Sequence, residues 1–175
     1  LEDAAAAFED FEYCALRYFN VAGADPDGRT GHDKPSATTL IKVTTETALG
    51  ERDYIEIYGT DYPTRDGTGI RDYIHVSDLA DAHLDALNYL EEEGESVALN
   101  CGYGHGYSVR EVIDVVKEVS GVDFEVRETD RRPGDPVESV ADSARIRHRL
   151  DWEPTRNELQ QIVADGLAWE RRKAG

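Results

Sequence analysis

"RDYIHVSDLADAHLDALNYLEEEGESVALNCG", Arg71 to Gly102, carries the alternation that decides the fold. "RDYIHV" is short and rich in strand formers. Ser77 follows as a helix N-cap. Leu79, Ala82, Ala86, Leu87 and Leu90 then recur at helical spacing, and Gly94 closes the helix. "VALNCG" is a second short apolar run, read as a buried strand. Strand, helix and strand in close succession predict an α/β chain.

The same grammar continues on both sides. Upstream, residues 1–10 read as the end of a helix. "YCALRYF", Tyr13 to Phe19, suits a strand buried on both faces. "NVAGADPDGRTGHDKP", Asn20 to Pro35, is a Gly/Pro/Asp loop too long for a mere connector. A helix is predicted from Ser36 to Leu49, stopped by Gly50. "YIEIYG" alternates with Ile55 and Ile57 inward, as a strand does. "TDYPTRDGTG" is turn chemistry. Downstream, Ser108 and Glu111 form a capping box for a helix carrying Val109, Val112, Ile113 and Val116, closed by Gly121. "DFEVRE" alternates as a strand, and a short helix spans about Asp142 to Leu150. Thr155 and Glu158 box a last helix with Leu159, Ile162, Val163 and Leu167. There is no internal repeat. "YCALRYF" and "VALNCG" look like central parallel strands with few partners in this chain, so it reads as part of a larger fold.

The chain has 175 residues, enough for one domain with a real core. With 39% hydrophobic and 32% charged residues it should fold rather than stay disordered. No apolar run approaches the ~20 residues of a membrane span. The acidic "LEDAAAAFED" start lacks the basic region of a signal peptide, so a cytoplasmic location is expected. Cys14 and Cys101 are expected as free buried thiols. A formal net charge of -18 argues against nucleic acid as a partner. The few lysines (Lys34, Lys42, Lys117, Lys173) and many carboxylates suit a high-salt cytosol, or an ordinary acidic protein.

Against that charge, Arg71 is conspicuous between a glycine turn and an apolar run. It either pairs with a nearby Asp or awaits an external anion. "RRPGDP" sets Arg131 and Arg132 before a Pro-Gly turn and Asp135. Planar guanidinium groups suit bidentate pairing with phosphate oxygens, although surface ion pairs would use the same residues. "NCGYGHGYSVREV" has the strand–glycine–helix context of a dinucleotide loop, but Tyr107 stands where the third glycine is needed. A tight turn bordering a site is the better reading. No metal spacing appears among His32, His75, His83, His105 and His148. There is no nucleophile elbow, and no tyrosine is followed four residues later by Lys.

Together, "LRYFNVAGADPDG", "IYGTDYPTRDGTGIRDYIHVSDLADAH", "GYSVREVI", "RRPGDP", "ADSARIRHRLDWEP" and "IVADGLAWE" resemble, in content and order, the UDP-glucose 4-epimerases of the extended short-chain dehydrogenase/reductase family. The resemblance covers nearly the whole chain. It implies the C-terminal half of that fold: the last strands of a Rossmann-type parallel sheet, supplied by residues 1–20 and 95–121, and a small α/β substrate domain. The family's NAD loop, its catalytic Ser or Thr and its Tyr-x-x-x-Lys lie in an N-terminal half not seen in this sequence, so no catalytic residue and no metal ligand is assigned here.

The resemblance also implies roles. Phe19 touches the nicotinamide side of NAD, and Asn20 the diphosphate-sugar. Thr39 and Leu40 belong to the uridine pocket, Thr39 standing where Asn or His is usual. Glu56, Ile57 and Tyr58 hold uracil largely through backbone. Arg71 and Arg132 take the diphosphate and Asp135 faces the ribose. Ser139 stands at a gate beside the sugar, where a small residue leaves room for a 2-acetamido group. The implied reaction interconverts UDP-glucose and UDP-galactose in galactose metabolism, in a homodimeric enzyme. Another nucleotide-sugar enzyme, a dehydratase or decarboxylase, or a non-catalytic UDP-sugar-binding fragment, are the alternatives.

Overall fold

The computed structural model describes residues 1–34 and 36–174; Pro35, the last residue of the predicted long loop, lies outside them. The helices are α1 (Glu2–Ala7), α2 (Leu40–Ala48), α3 (Val76–Glu93), α4 (Val109–Ser120), α5 (Ala144–Leu150) and α6 (Leu159–Ala174). The strands pair in small groups, mostly parallel. β1 (Cys14–Tyr18) lies parallel to β6 (Val97–Cys101), and β2 (Asn20–Ala22) parallel to β5 (Tyr73–His75). β3 (Tyr54–Tyr58) lies parallel to β8 (Glu125–Thr129). β4 (Ile70–Arg71) sits between β7 (Tyr107–Ser108), antiparallel, and β9 (Glu138–Ser139), parallel. The α/β reading of Arg71 to Gly102 holds, with β5, α3 and β6 following one another.

Two apolar clusters result. The larger joins Ile74, Leu99, Val112, Val116, Ile146, Trp152 and Ile162 between the β1–β6 strands and the surrounding helices. The smaller, Ile55, Ile57 and Ile113, lies beneath β3–β8. Helix α4 serves both. Val112 and Val116 point one way and Ile113 the other, as residues about 100° apart on a helix must. The capping box forms as predicted: Ser108 accepts from the Glu111 N–H, and the Glu111 side chain accepts from the Ser108 N–H. Gly94 and Gly121 close α3 and α4 in the left-handed conformation, at φ 68° and 72°.

Several expectations are corrected. The α3 N-cap is His75, not Ser77: the His75 Nδ1 accepts the Ser77 N–H. Helix α6 starts at Leu159 without the Thr155 box, because Asp78 takes both the N–H and the hydroxyl of Thr155. Helix α2 starts at Leu40, not Ser36. The predicted loop after Phe19 begins instead with β2. β1 is not buried on both faces; among the described residues it pairs with β6 alone, and Tyr18 is 57% exposed. Leu87 joins Leu84 on the exposed side of α3 rather than the core. Cys14 and Cys101 are free thiols, as expected, but only Cys101 is buried; Cys14, on β1, is partly exposed.

Candidate functional site

The short β4 decides the position of Arg71. Its backbone is pinned on both sides: the Ile70 N–H donates to the Val137 carbonyl, the Asp72 N–H to Ser139, and the Val109 N–H to Gly69. Side chains alternate along extended chain, so Ile70 and Asp72 turn inward and Arg71 turns outward into a cleft. There Arg71 donates to the Ile70 carbonyl at 2.7 Å and to Asp135 Oδ1 at 2.8 Å. A guanidinium has five N–H donors, so these two leave others for a ligand. The choice posed by the sequence thus has a double answer, a carboxylate partner and spare donors.

Arg131 and Arg132 differ sharply. Arg131 donates to Asp61 Oδ1 at 2.6 Å and to the Asp61 carbonyl at 2.5 Å, and stacks on Tyr62. It is turned onto Asp61 and is not among the residues that line the cleft. Arg132 lies with its guanidinium carbon 3.5 Å from the Tyr58 ring centroid and has no carboxylate partner among the described residues.

Strand β3 offers an open edge. The Gly59 N–H donates to the Thr129 carbonyl of β8. Main-chain groups alternate in direction along a strand, so those of Ile55 and Ile57 also face β8. Those of Glu56 and Tyr58 face the unpaired side. An N–H and a C=O there match the acceptor–donor–acceptor edge of a base such as uracil. The Tyr58 hydroxyl donates to Glu56 Oε2 at 2.6 Å. Ile57 is turned into the smaller core, 1% exposed, and stands apart from the cleft.

The cleft holds about 1170 Å³. Phe19, Asn20, Thr39, Leu40, Glu56, Tyr58, Arg71, Arg132 and Asp135 all line it. Asn20 donates through Nδ2 to the Asp72 carbonyl, which leaves its amide oxygen for other partners. Ser139 borders a smaller hollow of about 450 Å³ shared with Phe19, Asn20 and Arg71, and stands opposite Arg71 in the β4–β9 register. Arg17 and Asn100, paired across β1 and β6, also line that hollow. Sequence reasoning passed over both. The signal was there in Arg17, a lone cation in an apolar strand. Lys42, also on the lining, is buried between Glu46 at 3.0 Å and Glu170 at 2.6 Å, its charge already matched.

The glycine loop after β6 is a packing turn. Asp72 accepts the Tyr103 N–H at 3.0 Å and the Gly104 N–H at 2.9 Å. A Cβ on Gly102 would lie 2.7 Å from Ala141 Cβ and 2.8 Å from Asp72 Oδ2. Those N–H groups are taken, so the loop makes no pyrophosphate cradle.

The sequence pattern described as "NAD dependent epimerase/dehydratase family" matches residues 1–102. The chain belongs to that family. The resemblance carried by its motifs is thereby borne out, and its relatives agree. A UDP-glucose 4-epimerase of Azospirillum brasilense is 56% identical over 171 residues, 98% of this chain and 49% of that protein. A solved UDP-Glc/GlcNAc 4-epimerase of Campylobacter jejuni is 50% identical, with a TM-score of 0.82 over 98% of this chain and 52% of that one. A UDP-glucose 4-epimerase of Bifidobacterium longum, solved with NAD+ and UDP, is 36% identical, with a TM-score of 0.91 over 99% of this chain and 51% of that one. The chain thus spans about half the length of the relatives it matches. Phe19, just beyond β1, borders both hollows. No helix among the described residues is long and apolar enough to cross a membrane.

Proposed function

We propose that this chain is the UDP-sugar-binding part of an enzyme that interconverts UDP-glucose and UDP-galactose by inverting C4. One observation carries the reading: two guanidinium groups with donors to spare, Arg71 and Arg132, flank a cleft that begins beside an open strand edge. The uracil edge pairs with the main chain of Glu56 and Tyr58, beside Thr39 and Leu40; Ile57 supports that strand from the core. The diphosphate lies between Arg71 and Arg132, each contributing about 1.5–3 kcal/mol through charge-assisted bonds. Asp135 takes ribose hydroxyls while keeping Arg71 in place. Asn20 reaches the diphosphate-sugar, and Phe19 the nicotinamide side of the cofactor. β1 and β6 act as the last strands of the cofactor sheet.

NAD, when bound, supplies hydride acceptance and return at C4. What this chain supplies is grip on the part of the substrate that does not react. Binding energy placed on the nucleotide retains the sugar without clamping the ring that must turn over. On this reading the reaction belongs to galactose metabolism and takes place in the cytosol, in a homodimer.

Ser139 sets how large a sugar fits. A serine beside the hollow leaves space for a 2-acetamido group, in keeping with the C. jejuni relative, a UDP-Glc/GlcNAc 4-epimerase. The test uses the protein at the full length its gene encodes. Wild type should epimerise UDP-N-acetylglucosamine as well as UDP-glucose, and Ser139→Tyr should lose the first activity only, by kcat/KM for each substrate. Rejection of the acetamido sugar by wild type, or its acceptance by the variant, overturns the gate. Absence of UDP binding by calorimetry overturns the whole reading.

A further inference from the structure

Three arginines stack on three tyrosines around β3. Arg127 lies over Tyr54 with its guanidinium carbon 3.6 Å from the ring centroid, Arg131 over Tyr62 at 4.1 Å, and Arg132 over Tyr58 at 3.5 Å. In the first two a carboxylate closes the guanidinium edge: Glu125 binds Arg127 at 2.6 Å, and Asp61 binds Arg131 at 2.6 Å. In the third the arrangement is reversed. Glu56 binds the hydroxyl of Tyr58, not the guanidinium of Arg132. The Arg132 edge is left without a carboxylate among the described residues.

That reversal has a physical consequence. At 3.5 Å only a face-to-face stack avoids overlap, and a stacked guanidinium keeps its N–H bonds in its own plane, pointing past the ring. The 2.6 Å bond to a carboxylate fixes the ring and draws the phenol proton outward, which enriches the ring face that meets the cation. Arg132 lies in the irregular stretch between β8 and β9, where no ladder holds it. The base, held by main chain at the open edge of β3, leaves the face of the Tyr58 ring free for this task.

We infer that Tyr58, clamped by Glu56, is a positioning residue that presents Arg132 to the ligand's diphosphate. Its main chain serves the base and its ring serves the phosphates. The inference rests on the proposed nucleotide site, and a pair of ligands separates the two. UDP and uridine share the base and ribose, and differ in the diphosphate.

The experiment is calorimetric titration of UDP and of uridine into the protein at the full length its gene encodes. Variants are Tyr58→Leu, Tyr58→Phe, Arg132→Ala and the double variant Tyr58→Leu/Arg132→Ala. Tyr58→Leu should weaken UDP about five- to tenfold, the scale of one cation–π contact in a partly desolvated site, and uridine less than about twofold. Tyr58→Phe keeps the ring, loses the clamp and should weaken UDP about twofold; it also serves if the leucine variant fails to fold. In the Arg132→Ala background, Tyr58→Leu should have no further effect on UDP. Equal weakening of uridine and UDP would make Tyr58 a platform for the base and overturn the inference. So would an undiminished effect without Arg132, or UDP affinity unchanged in Tyr58→Phe and Tyr58→Leu. Failure of the wild type to bind either ligand overturns the nucleotide site itself.

Discussion

Arg71 and Asp72 are neighbours in sequence, and they belong to two regions that handle charge in opposite ways. Asp72 is fully buried, and its carboxylate accepts three main-chain N–H groups, from Tyr103, Gly104 and Ala141. Asp78, 1% exposed, accepts the Tyr103 hydroxyl at 2.6 Å and the N–H groups of Thr155 and Arg156. These acids tie the end of β6, the segment after β9 and the approach to α6 to one strand–helix unit. In the cleft, by contrast, Arg71 has one carboxylate and spare donors, and Arg132 has an aromatic ring. In a chain with 37 acidic residues, charge type alone says little. Saturation separates the regions: fully matched groups hold the fold, and under-matched groups await a ligand.

The largest effect should come from breaking the matched region. Asp72→Ala strands the buried N–H donors of Tyr103 and Ala141, each costing about 1–3 kcal/mol, and frees the part-buried one of Gly104, so urea unfolding should show a loss of at least about 2 kcal/mol. A loss below about 1 kcal/mol would mean that water replaces the carboxylate and that the contrast is overdrawn. The cleft should answer differently. Arg132→Ala should weaken UDP binding about ten- to hundredfold with little change in the urea midpoint. Arg131→Ala removes an arginine already closed by Asp61 at the surface and should weaken UDP less than about threefold. Equal losses in calorimetry would erase the distinction between the two arginines.

The smallest effect sharpens the comparison from inside. His75 is fully buried, with Asp165 at 3.2 Å and Asp78 and Arg156 nearby. Burial holds its pKa below the usual value, outweighing Asp165. The unfolded chain therefore takes the proton first. The stability this imidazole contributes is present above about pH 6.5 and is lost as pH falls, at no more than about 1.4 kcal/mol per unit. Tm should fall between pH 7.5 and 5.5, and fall less in His75→Asn, which keeps an acceptor for the Ser77 N–H. Carboxylates such as Asp66 and Glu111, held below their ordinary range, weaken the fold only at lower pH. An unchanged slope in the variant would show that His75 does not carry the effect.

Much of this was legible in the residues. Apolar spacing placed α3 and α4, glycines marked their ends, and Ser108 with Glu111 announced the capping box. These signals are local, and neighbours a few residues apart express them wherever the chain sits. The two- and three-residue strands β2, β4, β7 and β9 were not legible, because pairing that short exists only when distant segments meet. Ser77 and Thr155 carried valid cap chemistry and lost to His75 and Asp78, partners that only folding delivers. The motifs named Arg71 and Arg132 as candidates beside Arg131. Separating them required knowing where Asp61, Asp135 and Tyr58 end up. By itself the sequence determined which side chains can bind an anion. Which of them can reach one was decided by tertiary structure, because a guanidinium serves a ligand only when folding turns its spare donors into the cleft, as for Arg71 and Arg132, and not onto a surface acid, as for Arg131.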